Sequence, residues 1–531
     1  MQKASSNTGT IARSAGLVSV AVMCSRVLGL VREQVMAALF GAGKEYDAFV
    51  VAFRIPNLLR DLFAEGALSS AFVAVFTDYD STKGAEETWR LANNVFSGIA
   101  VILSLVTLLG MAFSGPLVGL IAPDFVLVVG KAELTRLLTV IMFPFLIFVS
   151  MAAVVMGILN SKGRFFIPSL ASSFFNVGSI VGGVGLSLLL PRFGHPAIVG
   201  MAIGTLLGGF LQLVCQIPAL RSTGFTLRPV LDWSDPGLRR VFLLMIPAII
   251  GLGATQINIF VNTNFASSCA EGSVSWLNYA FRLVQFPIGM FGVAVSIAAM
   301  PVIARSAALR DLHAVRETYV SALTMGFCLS IPATVGLWVL AEPLIKVIFQ
   351  HGNFGPVDTI RTAEALSFYV VGLFAYSAVK ITVPVFYALN DTKYPVIGSF
   401  LAVAANILII TLSIDAMQHK AVALGTSCAM IGNFLFLSLI LYRRLSGYSL
   451  LYLGRGVFKV CAASAVMWLW LHLAREVLGG RSVPDIAALV FLLVSAVMVY
   501  GGTLYGMRLH ELTVLVDKVR ARVSRQKDEK K

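Results

Sequence analysis

Charge is what this chain is short of. Asp, Glu, Lys and Arg make up only 13% of its 531 residues, about half the share a soluble domain carries. Hydrophobic residues reach 57% and mean hydropathy is +0.85, which excludes a water-soluble particle and implies a polytopic membrane protein. The six cysteines (Cys24, Cys215, Cys269, Cys328, Cys428, Cys461) are scattered with no CxxC pair, so neither a disulfide frame nor a zinc site follows. The six histidines are equally dispersed, with no HExxH. No P-loop, nucleophile elbow or paired loop carboxylates occur. An enzyme is therefore not expected, nor a metal or cofactor.

Long polar stretches are lacking too. Fourteen apolar stretches of membrane-spanning length run near 14–40, 46–77, 91–115, 134–159, 167–190, 196–219, 239–264, 274–303, 319–341, 362–389, 394–414, 420–442, 456–475 and 484–507. The first is too long and too charged for a cleavable signal peptide. The longest polar connection, 220–239, leaves no room for a soluble domain. A net charge of +14 could suggest nucleic acid, but placement argues against it. With the N-terminus in the cytoplasm, most Lys and Arg fall on the cytoplasmic side, so both termini are expected there. The basic tail after Arg508 reads as a solvated or lipid-touching anchor.

Three matches hint at an internal repeat. Ala52-Phe53-Arg54 recurs as Ala280-Phe281-Arg282, Leu159-Asn160 as Leu389-Asn390, and Asn176 as Asn406, at one offset of about 229 residues. That offset covers six spans, so the copies share orientation. The expected architecture is an all-α integral membrane protein of 14 transmembrane helices: two parallel-repeat six-helix lobes plus two C-terminal helices. The lobes would be 1–220 and 221–445, followed by helices 13–14 at 446–510 and a basic cytoplasmic tail at 511–531. Transporters of this plan hold their site between lobes and alternate access by rocking one against the other.

Against this apolar background five arginines stand inside spans: Arg26, Arg32, Arg54, Arg60 and Arg282. Each costs roughly 2.5–3.5 kcal/mol at mid-bilayer on insertion scales, so such residues usually face a polar cavity. Together they imply a wet, cationic chamber suited to an anion, best a lipid phosphate head group. On a helical wheel Ser25, Arg26, Gly29, Arg32 and Glu33 fall within about 120°, with Gly29 near the centre, where a ligand or another backbone can approach. Asp47, Arg54, Asn57, Asp61 and Glu65 share a face of about 80°, and Arg60 points away from it unless Pro56 re-aims the helix. The bland alternatives are snorkelling to the head groups and simple ion pairs, Arg26 with Glu33 or Arg60 with Glu65. Lys380 reads equally as a cavity residue or a packing partner. The 36 phenylalanines read as lipid-facing or packing residues.

At residues 24–72 the pattern becomes specific: Ser25-Arg26-Val27-Leu28-Gly29, Arg32-Glu33, Phe40-Gly41-Ala42-Gly43, Asp47-Ala48-Phe49, Phe53-Arg54-Ile55-Pro56-Asn57-Leu58-Leu59-Arg60, Phe63-Ala64-Glu65-Gly66-Ala67 and Ser70-Ala71-Phe72. Gly163-Arg164-Phe165, Leu277-Asn278-Tyr279-Ala280, Phe349 and His351-Gly352 add to it. This resembles the MurJ/MviN family of lipid II flippases, within the multidrug/oligosaccharidyl-lipid/polysaccharide exporter superfamily, over the whole chain. The resemblance implies a flippase of the bacterial cytoplasmic (inner) membrane that carries the undecaprenyl-pyrophosphate-linked peptidoglycan precursor to the outer leaflet. It implies Arg32, Arg60 and Arg282 as head-group ligands, Arg26 in the cavity, and Asp47 and Glu65 as supporting or gating carboxylates. The implied partners are the lipid-linked precursor, membrane lipids and other cell-wall synthesis proteins.

Three positions depart from the family pattern: Glu33 where aspartate is usual, Asp61 where a second basic residue is frequent, and Phe281 where an acid is frequent. The last two change the charge balance beside Arg60 and Arg282. The energy source stays open among membrane potential, sodium and protons; Asn262, Asn406 and Thr426 offer only neutral oxygens to a cation. The rival reading is a sibling exporter of another polyprenyl-pyrophosphate-linked oligosaccharide. A drug exporter would favour cationic cargo and an acidic cavity, and a membrane glycosyltransferase would need a loop constellation that is absent.

Overall fold

A computed structural model describes residues 2–62, 68–479 and 483–508, and the regular structure among them is helical. Glu65 and the expected tail at 511–531 lie outside the described residues. Two compact units form, one from the residues up to Ser275 with His351–Phe354, the other from Trp276–Gln350 and from Gly355 onward.

The first unit contains α1 (Gln2–Phe40), α2 (Lys44–Arg60), α3 (Ser69–Thr82), α4 (Gly84–Ala112), α5 (Ser114–Ile121), α6 (Lys131–Met142), α7 (Phe145–Ser161), α8 (Phe166–Leu189), α9 (Ala197–Val214), α10 (Ile217–Arg221) and α11 (Pro236–Ser267). Helix starts follow local chemistry. Asp235 caps α11 by accepting from the Leu238 amide at 2.8 Å, with Pro236 at the first helical position, where its missing N–H costs nothing. The end of α1 is capped by distant chain: the Asn353 amide donates to Ala38 O at 2.9 Å and its Nδ2 to Leu39 O at 2.6 Å. These bonds satisfy carbonyls that a helix end leaves orphaned. The approach requires glycine at Gly41, whose φ is 63° and where a Cβ would stand 2.5 Å from Asn353 O.

Phe72, Phe76, Leu91, Val95, Leu146, Val154 and Ile158 centre the first unit's apolar core. Packing of α8 on α9 uses small residues instead: a Cβ on Gly204 would lie 2.4 Å from Gly183 Cα, the close backbone approach that membrane helices favour. The linker between α10 and α11 lies along α4, where two consecutive side-chain amides hold it. Asn93 donates to Thr226 O (3.1 Å) and accepts from the Arg228 amide (2.8 Å); Asn94 donates to Asp232 O and accepts from the Asp232 amide, both at 2.8 Å. Beyond this linker α11 packs on α3, α4 and α5, which is why it belongs to the first unit.

The second unit holds α12 (Ser273–Pro287, entering from its fourth residue), α13 (Ala294–Ala308), α14 (Leu312–Val339), α15 (Ala341–Phe349), α16 (Pro356–Val370), α17 (Leu373–Ala388), α18 (Lys393–Met417), α19 (His419–Arg444), α20 (Leu450–Gly479) and α21 (Asp485–Gly506). Its main core gathers Tyr319, Leu323, Ala378, Phe386, Leu437 and Leu441; α20 and α21 add their own cluster around Met467, Leu471 and Leu492. Helix borders repeat along the chain: α4, α5, α6, α7 and α8 are answered by α14, α15, α16, α17 and α18, each starting about 227 residues later.

Among the described residues eleven helical segments, α6 with α7 and α12 with α13 each counted as one, are long and apolar enough to cross a membrane, twelve if α16 and α17, bent by 43°, form one span. These account for twelve of the predicted stretches. The other two, 14–40 and 46–77, fall on α1 and, for the described residues, on α2 and α3, which carry most of the charged residues singled out from the sequence. Large apolar side chains such as Leu412 (78% exposed), Phe458 (71%) and Met498 (71%) point outward, as lipid contact requires.

Candidate functional site

The polar stripe of α1 divides into a packed part and an open part. Ser25 O accepts from Asn176 Nδ2 of α8 at 3.1 Å, and a Cβ on Gly29 would meet the same Asn176 amide at 3.8 Å. The neighbour that Gly29 admits is therefore a helix. Arg26 is exposed and makes no ion pair among the described residues.

Arg32 pairs with its sequence neighbour. Its Nη2 donates to Glu33 Oε1 at 2.9 Å, and the guanidinium lies 5.4 Å from the Phe175 ring centre. Glu33 is 4% exposed and its Oε2 accepts from the Tyr46 hydroxyl at 2.7 Å. Of the two ion pairs weighed from the wheel, Arg26 with Glu33 is replaced by Arg32 with Glu33. Arg60 pairs with its neighbour, with Nε and Nη2 donating to Asp61 Oδ1 at 3.2 and 2.7 Å, just where the backbone widens into a π-turn; the alternative of Arg60 with Glu65 falls on a residue outside the described ones. Arg54 and Asn57 are half-buried on the same helix.

Asp47 takes a different place from the rest of its stripe. It is 1% exposed and accepts from Lys131 Nζ (2.8 Å), the Gly272 amide (2.9 Å), the Ser275 amide (2.9 Å) and Ser275 Oγ (2.5 Å). Lys131, buried against the Phe125 ring at 4.2 Å, was not singled out from the sequence. The signal available was Asp47 itself, a carboxylate in an apolar stretch that requires a partner. In the second unit Arg282 is half-buried on α12, which passes at Pro287 into a π-helical turn, Ile288–Val293. Lys380 is exposed on α17, so the packing-partner alternative does not hold. No group of three or more His, Cys, Asp or Glu able to hold a metal occurs among the described residues.

Chemically, α1 and α2 carry the guanidinium groups of Arg26, Arg32, Arg54 and Arg60, two of them braced by an adjacent carboxylate. Arginine forks of this kind bind phosphate oxygens bidentately and stay charged.

Comparison with known proteins gives a consistent result. The family model described as lipid II flippase MurJ matches residues 36–496. A probable lipid II flippase MurJ of Vibrio cholerae is 37% identical over 466 residues, covering 86% of this chain and 87% of its own. That of Haemophilus influenzae is 34% identical, covering 92% and 99%. Among solved structures, a lipid II flippase MurJ in an inward closed conformation matches with TM-score 0.78 and 26% identity over 92% of this chain and 97% of its own. An inward-facing multidrug transporter of the MATE family matches with TM-score 0.61 at 16% identity, over 81% and 94%, a likeness of fold alone.

Proposed function

The chain belongs to the lipid II flippase MurJ family, and from that premise we propose how its residues move the lipid. It is a transporter and not an enzyme: a flippase for the undecaprenyl-pyrophosphate-linked peptidoglycan precursor, multi-pass in the bacterial inner membrane. The head group is bound by Arg26, Arg32, Arg54, Arg60 and Arg282. The observation carrying this is Arg32, whose guanidinium commits one nitrogen to Glu33 and lies over Phe175 while otherwise unoccupied by described residues. Ser25, Gly29, Glu33, Asn57, Asp61, Asp47 and Glu65 act as supporting or gating groups.

The fourteen-span count takes α1 as the first span and α2 with α3 as the second. Recurrent helix borders support two parallel six-helix lobes with α20 and α21 appended, and the positive-inside bias supports cytoplasmic termini. Access alternates: arginines exposed to the cytoplasm capture pyrophosphate, the polyprenyl tail stays in lipid, and charge neutralisation lets the site close and reopen outward. Moving one net charge against 100 mV is worth about 2.3 kcal/mol, enough to bias the cycle. Contacts with other cell-wall synthesis proteins belong to the same proposal.

The test is complementation of a bacterium depleted of its own lipid II flippase, with wild type and with Arg32→Ala, Arg60→Ala and Arg282→Ala at matched expression. Rescue by wild type alone supports the anionic-cargo site. Rescue by all three variants makes these arginines structural, and failure of well-expressed wild type points to another polyprenyl-linked cargo.

A further inference from the structure

A closed circuit of side chains runs around Arg32 within the first unit. From Tyr46 the rings of Phe49 and Phe53 follow along one face of α2, at centroid spacings of 6.2 and 6.3 Å. Phe53 meets Phe145 of α7 at 5.4 Å, and Phe145 meets Phe175 of α8 at 5.6 Å. Phe175 lies 5.4 Å from the Arg32 guanidinium. Glu33 then closes the circuit, accepting from Arg32 through Oε1 at 2.9 Å and from Tyr46 through Oε2 at 2.7 Å. Five aromatic rings from three helices thus connect the two sides of one ion pair.

The chemistry of that pair explains what the circuit does. Arginine–carboxylate pairs are frequently bidentate, with both oxygens on the guanidinium fork. Such a pair would occupy two of the five N–H donors and turn the charged edge of Arg32 inward. Here the phenol of Tyr46 holds the second oxygen, so Glu33 grips Arg32 through Nη2 alone. The guanidinium carbon meanwhile lies over the Phe175 ring, 5.4 Å from its centre, a contact that uses no N–H donor.

We propose that Tyr46 and Phe175 are positioning residues for recognition of the lipid pyrophosphate by Arg32. Tyr46 keeps Glu33 from clamping the guanidinium fork, Phe175 fixes its plane, and the remaining donors stay directed to an oxyanion. The proposal rests on Arg32 being a head-group ligand.

The measurement is binding of radiolabelled undecaprenyl pyrophosphate to the full chain in lipid nanodiscs, with thermal midpoints recorded for every variant. Tyr46→Phe weakens binding about tenfold, the worth of one hydrogen bond to a charged group. Phe175→Leu weakens it several-fold, while Phe175→Tyr, which keeps a ring under the cation, restores it. In an Arg32→Ala background neither Tyr46→Phe nor Phe175→Leu causes further loss. A packing role predicts the same loss with or without Arg32, and that result overturns the proposal. Wild-type binding in both single variants, with binding lost in Arg32→Ala, overturns the positioning role alone. Unchanged binding in Arg32→Ala removes the head-group role of Arg32 and the inference with it. Should Tyr46→Phe fail to fold, the Phe175→Leu cycle with Arg32→Ala decides the matter by itself.

Discussion

Lys131 Nζ lies 2.8 Å from Asp47 Oδ2, and the two side chains are 3% and 1% exposed. Coulomb attraction alone rarely repays the desolvation of two buried charges; further hydrogen bonds must satisfy the carboxylate. They do so here. The Gly272 amide shares Oδ2 with Lys131, and Oδ1 accepts twice from Ser275. A carboxylate that would be costly in lipid thereby becomes a fixed point joining α2, α6 and the first residues of α12 with Gly272 before it.

Removing one partner strands the other. Lys131→Met should destabilise the protein by about 3–5 kcal/mol, since it leaves a buried carboxylate short of its cation. Asp47→Asn in the same chain should recover much of that loss. Thermal unfolding in detergent, followed by size-exclusion chromatography, reads both. A double variant no more stable than Lys131→Met would show that Lys131 contributes through packing on Phe125, not through the charge pair.

The second prediction concerns the linker laid along α4. Each of Asn93 and Asn94 gives and receives one backbone hydrogen bond with the 226–232 segment. A side-chain amide can do both at once, which no other side chain of that length does. Asn93→Ala should raise hydrogen exchange at the Arg228 amide about tenfold, and Asn94→Ala should do the same at Asp232, each for one lost hydrogen bond. Unchanged exchange at both amides would mean that the linker is held by its apolar contacts alone.

Most of the helical framework was legible because lipid demands long apolar runs and caps leave marks: Asp235-Pro236 announces α11 as clearly as its apolar residues do. The charged residues of α1 and α2 were legible, but not the sequence neighbours that two of the arginines hold. A helical wheel sets Glu33 near Arg26, seven positions away, and treats adjacent residues as facing apart; the structure joins Arg32 to Glu33 and Arg60 to Asp61. Long flexible side chains can reach sideways where Cβ positions cannot. Lys131 was passed over because it stands just before the stretch at 134–159, where a lysine ordinarily belongs to the surface. Tyr46 and Phe175 were lost among the many aromatics, since nothing in a sequence distinguishes a ring facing lipid from one under a guanidinium.

The α8–α9 contact gives a contrast between two glycines. A Cβ at Gly204 would stand 2.4 Å from Gly183 Cα, whereas one at Gly185 meets nothing within 4 Å. Gly204→Val should push the helices apart and lower the yield of folded protein sharply, because backbone cannot yield as a side-chain tip does. Gly185→Ala should be neutral or stabilise slightly, by up to about 1 kcal/mol, from helix propensity. Equal effects of the two changes on thermal midpoint would contradict the close approach.

Asp61 permits a gain-of-binding prediction. Its Oδ1 takes both Nε and Nη2 of Arg60, yet the side chains remain 22% and 27% exposed, so solvent screens the pair and it is worth at most about 1 kcal/mol. A pyrophosphate carrying more charge should displace it at that cost. Asp61→Asn keeps the shape and removes the competing charge; it should tighten undecaprenyl pyrophosphate binding about three- to fivefold at low salt, with the gain shrinking as ionic strength rises. Arg60→Ala in the same background should abolish the gain. Equal binding in wild type and Asp61→Asn, in a protein that Arg60→Ala weakens, would mean that Asp61 does not compete with the lipid.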